Sequence, residues 1–325
     1  NSAVKAFDYV IAFGQTGNFY QSATVERLRS LNAKLIEGNN YTQQDLLKLK
    51  TDYLSTINYL GKTHASVNLR LDLGKLMAFH LHDSDSAVNV LETALNIPGM
   101  NVQLKAWVKM TLADILIFQG DVWEASLYYA QVEKQFKEEP IGHEAKFRKA
   151  RIFYYEGDFT LAQSQLDVLK TSTSKLIAND AFELSLLITD NLNLDTTAVN
   201  MKRFAQADLL IYQNRYEEAI SILDSINTSV VYHSLNDEIL FKRYEIEFEK
   251  RNWKKAETHL LDIVANYGED ILADNALFKL AELYHYQHED KAKAAEYYKQ
   301  LLFNYSGSLF AVEARKRYRK LAEEL

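Results

Sequence analysis

Among 325 residues there are only 2 Pro and 11 Gly, where average usage of the two together is roughly 12%. Folds that need a turn residue every ~8–12 positions, or glycine-rich strand-to-helix turns, are therefore poor candidates, and long helices with short connections remain. The 37 basic and 44 acidic side chains leave a net charge of −7, which disfavours nucleic acid as a main partner, and the absence of Cys removes disulfides, thiolate catalysis and Cys-ligated zinc. No apolar run reaches the ~18–20 residues of a membrane span. The chain starts at Asn1 instead of Met, which reads as a processed or trimmed product whose targeting information is missing.

In chain order, Gly17-Asn18-Phe19 followed by Ala23 reads as an inter-helix turn within a first hairpin over roughly 3–37. Thr42 is placed to cap a separate helix that runs to Leu60. A repeat then begins. Gly120-Asp121-Val122-Trp123-Glu124-Ala125, Gly157-Asp158-Phe159-Thr160-Leu161-Ala162, Asn214-Arg215-Tyr216-Glu217-Glu218-Ala219 and Arg251-Asn252-Trp253-Lys254-Lys255-Ala256 share one form: a polar turn, a bulky residue, two helix-starting positions and an alanine. Two copies with one extra turn residue lead to Ala87 and Ala294, so the alanines follow one another at 38, 37, 57, 37 and 38 residues. The long interval holds about one additional helix with its loop.

Twelve or thirteen residues before each alanine stands Gly74, Ala113, Ala150, Ala207, Tyr244 or Ala281. Small residues paired on consecutive helices mark close crossings, so Tyr244 predicts a splayed or repacked hairpin. Leu112, Ile115, Leu116, Leu127, Tyr128 and Val132 supply apolar positions at helical spacing, and Asp121, Asp158 and Asn252 stand where the second helix needs an N-cap. The extra helix, over 175–192, places Leu176, Ile177, Ala181, Leu184, Leu187 and Ile188 on one side. Such an insertion predicts a change of superhelical path near 172–197. In the last helix, from Leu309 to Leu325, Phe310, Val312, Tyr318 and Leu321 should cover the final repeat while Arg315, Lys316, Arg317, Arg319 and Lys320 face water.

Leu73-Gly74…Ala87…Pro98 and Leu280-Ala281-x-x-Tyr284…Ala294…Tyr298 resemble the tetratricopeptide (TPR) signature. The 37–38-residue units resemble the longer-helix variant common in bacterial envelope proteins. Gly120 to Ala125 and Ser174 to Ala181 also look like large Bacteroidetes-type TPR proteins of unassigned function. The resemblance implies an all-α, right-handed superhelical solenoid of TPR-like hairpins with two inserted helices and a C-terminal capping helix. The organisation reads as a degenerate N-terminal hairpin plus extra helix over 1–65, three units over 66–172, an inserted helix over 173–197, three units over 198–305 and the capping helix over 306–325.

In that family the first helix of each hairpin lines a groove at unit positions 2, 5, 9, 12 and 13. By resemblance, the candidate partner-binding residues are Trp107, Asp114, Phe118, Arg151, Tyr154, Tyr155, Asp208, Tyr212, Glu245, Phe248, Glu282, His285 and Tyr286. A face mixing aromatics with acids suits a protein or peptide segment. It does not suit an acidic chaperone tail. Position 5 holds Met110, Phe147, Phe204, Phe241 and Phe278 where the co-chaperone clamps carry polar or basic groups, and position 9 is acidic at Asp114, Asp208, Glu245 and Glu282.

Catalytic and metal constellations are sparse. His80 and His82 stand at i, i+2 and point to different sides of a helix; His285 and His288 have better i, i+3 spacing but no third ligand. Ser172-Thr173-Ser174-Lys175 matches S-x-x-K without its companion motifs, and Gly14-Gln15-Thr16-Gly17 matches no phosphate loop. No cofactor or metal is expected. The leading reading is a non-enzymatic protein-interaction scaffold in assembly of a bacterial envelope complex, periplasmic or outer-membrane-associated, with any membrane link made through a missing anchor or a partner. A cell-wall glycan enzyme or its accessory module, with Glu144 and Glu183 as default carboxyl candidates, and a cytoplasmic peptide-binding regulator remain the alternatives.

Overall fold

The computed structural model describes residues 2–37, 41–172, 174–194, 198–229 and 235–324, the side chains at 193–194 and 227–229 excepted. Thr173 of the Ser-x-x-Lys match, the start at Asn1, the 195–197 end of the inserted segment and Leu325 lie outside the described residues. Among the described residues there are 17 α-helices and no strand. They are α1 (Ser2–Ile11), α2 (Tyr20–Asn32, prolonged by a widened turn at Ala33–Glu37), α3 (Gln43–Leu60), α4 (His64–Lys75, prolonged likewise at Leu76–His80), α5 (Ser84–Leu95), α6 (Val102–Gln119), α7 (Val122–Gln135), α8 (Pro140–Tyr155) and α9 (Phe159–Leu169). Then follow α10 (Lys175–Leu194), α11 (Val199–Tyr212), α12 (Tyr216–Ser229), α13 (Asn236–Glu249), α14 (Trp253–Asn266), α15 (Ala273–Tyr286), α16 (Lys291–Asn304) and α17 (Ala311–Glu324). Two compact units divide the chain: residues 1–152 with 164–182, and residues 153–163 with 183–325.

Within the first unit, α1 packs on α2, α4 on α5 and α6 on α7; within the second, α11 packs on α12, α13 on α14, α15 on α16, and α17 on α16. These are antiparallel hairpins whose crossings are set by the small residues. Ala87, Ala125, Ala162, Ala219, Ala256 and Ala294 are all fully buried, as are Ala113, Ala150, Ala207 and Ala281. At Gly74 the same logic is visible from its missing side chain: a Cβ there would stand 3.1 Å from Leu91 Cγ. Tyr244 is accommodated by repacking. Its ring is buried between Phe241 and Phe248, with centroids 5.4 and 5.8 Å away, and the Trp253 ring lies 5.1 Å beyond Phe248.

Each of the six repeat hairpins turns through one left-handed residue placed five positions before its buried alanine: His82, Gly120, Gly157, Asn214, Arg251 and Glu289, with φ between 54° and 100°. That residue ends the first helix in a left-handed cap. The amide of the next residue then reaches back five positions, from Asp121 to the Leu116 carbonyl and from Asn252 to that of Glu247, both at 2.8 Å. In the two copies with an extra turn residue the reach is six positions, from Asp83 to Met77 and from Asp290 to Tyr284. The first helix there is closed one residue later, and the alanine register is kept.

Capping follows the expectation only in part. Thr42 and Asp45 form a reciprocal capping box at α3, and Asp158 accepts from the Leu161 amide at 3.1 Å. Asp121 and Asn252 hold the N-cap position without a side-chain cap bond; the Asn252 amide group instead donates to Glu247 Oε2 at 2.7 Å. Three apolar positions read as core are exposed: Leu127 (64%), Leu176 (71%) and Val312 (78%). In α7 the buried stripe is Ala125, Tyr129 and Val132, so Leu127, two residues past Ala125, falls on the opposite side at ~100° per residue. Ile177, Ala181 and Ile188 set the buried side of α10, and Ala311, Ala314 and Leu321 that of α17. Leu176 and Val312 are each one step off those stripes.

Candidate functional site

In the first unit the candidate residues stand on α6 and α8. Trp107 is 42% exposed, whereas Met110, one turn on, is fully buried. Asp114 is not an open acid. It accepts the Tyr129 hydroxyl at 2.6 Å and pairs with the Arg148 guanidinium, which also donates from Nε to Glu144 Oε1 at 2.8 Å. Burial works against the Arg148 charge, but the carboxylates of Asp114 and Glu144 outweigh it and leave the group still more basic than usual. Phe118 meets Phe79 edge-on at 5.3 Å. Arg151 is half-buried beside Asp180, whose carboxyl is pushed up by burial and by Glu144 and pulled back by Arg151.

In the second unit Tyr154 and Tyr155 are core residues, 0% and 7% exposed, with their rings 5.5 Å apart and Tyr154 6.1 Å from Phe159. This corrects the expectation of a partner-facing tyrosine pair. Both precede the Gly157 turn, after which Phe159 opens the second helix with its ring against Tyr154. Asp208 accepts Lys242 Nζ at 2.8 Å, and Lys242 also donates to Glu245 at 2.9 Å. The two carboxylates overcome the burial of that ammonium and raise its pKa. Tyr212 and Phe248 are half-buried, the latter within the Tyr244–Trp253 aromatic row.

At the last hairpin, Glu282 bonds Arg317 of α17 at 2.7 Å and Lys279 at 2.8 Å. Arg317 further donates to Tyr298 Oη at 3.1 Å and lies over the Phe278 and Tyr286 rings, 5.1 and 5.7 Å from their centroids. It was expected to face water and instead turns inward, held by Glu282, by Glu313 at 2.8 Å and by the two aromatic faces. His285 stacks on Tyr286 at 4.2 Å with 13° between the planes, and burial, then Arg317, lowers its pKa. Tyr286 itself is 54% exposed.

The repeat therefore holds an ion pair that residue-by-residue reading missed. An acid on a first helix meets a base 34 or 35 residues later: Asp114 with Arg148, Asp208 with Lys242, Glu282 with Arg317. For the first two pairs the signal lay in the sequence, since Arg148 and Lys242 stand two residues before Ala150 and Tyr244. These acids are neutralised inside the fold and do not form a bare anionic strip. Position 5 is likewise interior at Met110, Phe204 and Phe278.

Of the other motifs, His80 Nδ1 lies 3.4 Å from the Tyr41 hydroxyl, and His288 Nε2 lies 3.4 Å from Glu257. Among the described residues no three His, Asp or Glu side chains converge as metal ligands, and no helix is long and apolar enough to cross a membrane. Glu144 is engaged by Arg148, and Glu183 is exposed on α10.

No protein-family model matches the chain, and no curated protein matches it. Among solved structures it is similar to a tetratricopeptide repeat protein from Parabacteroides merdae, at 14% identity over 92% of this chain and 99% of that one, with a TM-score of 0.37. It is also similar to the TPR domain of P58(IPK), at 17% identity over 99% of this chain and 84% of that one, with a TM-score of 0.31. Both overlays are loose. The class, an all-α stack of TPR-like helical hairpins, rests on the buried alanine register and the repeated left-handed turns described above.

Proposed function

We propose that the protein is a non-catalytic interaction scaffold that holds a protein segment against its first-helix faces. The observation that carries this reading is Tyr286. Its ring is more than half exposed, yet it is held flat by His285 and flanked by Arg317. A large aromatic that is fixed before a partner arrives loses little entropy on binding, which is the usual character of an interface anchor. Trp107 offers a second exposed aromatic in the first unit. Beside Tyr286 the Glu282 carboxylate is engaged by Arg317, which leaves the aromatic surface to provide the contact.

The partner class is a protein segment with apolar or aromatic anchors. The cellular setting is assembly of an envelope complex, in the periplasm or at the outer membrane, a reading supported by the resemblance of the Gly120 to Ala125 phrase to large envelope repeat proteins. A photo-crosslinking residue at position 286 or 107 should trap one protein from envelope extracts, and the same residue at Arg319 should not. Equal trapping at all three positions overturns the reading, and recovery of the native protein only from cytoplasm overturns its setting.

A further inference from the structure

A cleft of about 370 Å³ opens in the first unit among α1, α2 and α3, away from every candidate residue discussed above. Arg27 of α2 ties its walls together, bonding Asp8 of α1 and, at 3.2 Å, Asp52 of α3. Two carboxylates facing one guanidinium leave one negative charge over.

The three Ser and Thr hydroxyls lining the cleft are already committed as donors. Thr24 donates to the Tyr20 carbonyl at 2.8 Å, and Ser55 and Thr56 both donate to the Asp52 carbonyl at 2.9 Å. What these three groups can offer a ligand is lone pairs. Two tyrosines complete the wall: Tyr20 and Tyr59 meet edge-on at 5.7 Å, and Tyr59 is 50% exposed. Excess negative charge, surplus acceptors and an accessible π-face all favour the same guest, a cation that carries N–H donors on an apolar stem. An anionic guest would meet the uncompensated carboxylate. An apolar one would strip water from Asp8 and Asp52 without replacing its hydrogen bonds.

We propose that this cleft binds the lysine or arginine side chain of a basic peptide segment. The site is independent of the first-helix reading, and either can fail without the other. The test is titration of the protein with the Nα-acetyl amides of lysine, arginine, norleucine and glutamate, followed by backbone amide shifts of Tyr20, Thr24 and Tyr59. A single side chain binds at millimolar strength. The lysine or arginine probe should shift these amides, about tenfold more tightly than norleucine, with affinity that falls as salt rises. Tyr59→Leu should weaken binding about threefold through loss of the ring face. Asp52→Asn, checked for an unchanged thermal midpoint, should weaken it about fivefold or more through loss of the excess charge. Should Asp52→Asn unfold, Tyr59→Leu decides. Norleucine binding as well as lysine, tighter binding of glutamate, or no shift from either cation at millimolar concentration overturns the proposal.

Discussion

The Asp114–Arg148 pair of the first unit and the Glu282–Arg317 pair of the second occupy the same place in the repeat, yet they are finished differently. In both, a tyrosine four residues past the hairpin alanine reaches the pair: Tyr129 after Ala125 and Tyr298 after Ala294. Tyr129 donates its proton to the carboxylate. Tyr298 accepts one from the guanidinium. The Asp208–Lys242 pair has Leu223 at the equivalent position, and a second carboxylate, Glu245, takes up the ammonium instead. One backbone register thus supports three polar solutions, because what the register fixes is the meeting of two side chains and not their hydrogen-bond count.

Breaking the first pair should produce the largest effect. Arg148→Met takes the guanidinium away from both Asp114 and Glu144 and should cost about 2–3 kcal/mol in urea unfolding, below the ~3–5 kcal/mol of a fully buried pair because these side chains are partly exposed. Arg317→Met should cost less, about 1–2 kcal/mol, since Glu282 keeps Lys279. Equal losses would mean that the two seats are equivalent and that the tyrosine arrangement is incidental.

The second unit also carries two acids that form no ion pair among the described residues. Asp237 and Glu238, at the start of α13, are 3% and 8% exposed; Asp237 Oδ2 and Glu238 Oε2 make no hydrogen bond among the described residues, and Asn191 lies 3.5 Å from Glu238 Oε1. Burial, then the neighbouring Asp237, pushes Glu238 well above the usual carboxylate range, while Tyr267 and Asp270 stand near Asp237. The folded state therefore binds a proton that the unfolded state releases above its ordinary value of 4.5, so stability falls as pH rises through that window. Glu238→Gln should stabilise the protein by about 1–3 kcal/mol at pH 8, a gain that shrinks toward zero by about pH 4. A gain independent of pH would show that packing, not ionisation, is responsible.

The tyrosines sharpen the comparison further. Tyr129→Phe should cost about 1.5–3 kcal/mol, because a fully buried phenol loses a bond to a carboxylate. Tyr298→Phe should cost about 1 kcal/mol, since Arg317 retains its other partners. The smallest effect belongs to the turns. Arg251 and Glu289 adopt the left-handed conformation that glycine supplies at Gly120 and Gly157. Replacing Arg251 by Gly removes that strain and should raise stability by up to about 1 kcal/mol, read as a shift in thermal midpoint, whereas Gly120→Ala should lower it by about 1 kcal/mol.

The sequence alone determined the helical class, the hairpin register and the turn lengths, because each depends on local or near-local rules. Ala125 must be small where two helices cross, Gly120 must turn left-handed, and an extra residue before Ala87 must lengthen the turn; each of these can be read within about forty positions. The candidate face was less legible. Tyr154 and Tyr155 have the same chemistry as Tyr286, yet they are core while Tyr286 stays open. Asp114 and Glu282 read as partner-facing acids until Arg148 and Arg317 arrive from two helices further along the chain. A charge repays its desolvation according to what lies within about 4 Å of it, and those neighbours come from other helices. That is why the repeat was visible in the order of the residues, while the division between inner clamp and outer surface was decided by the tertiary structure.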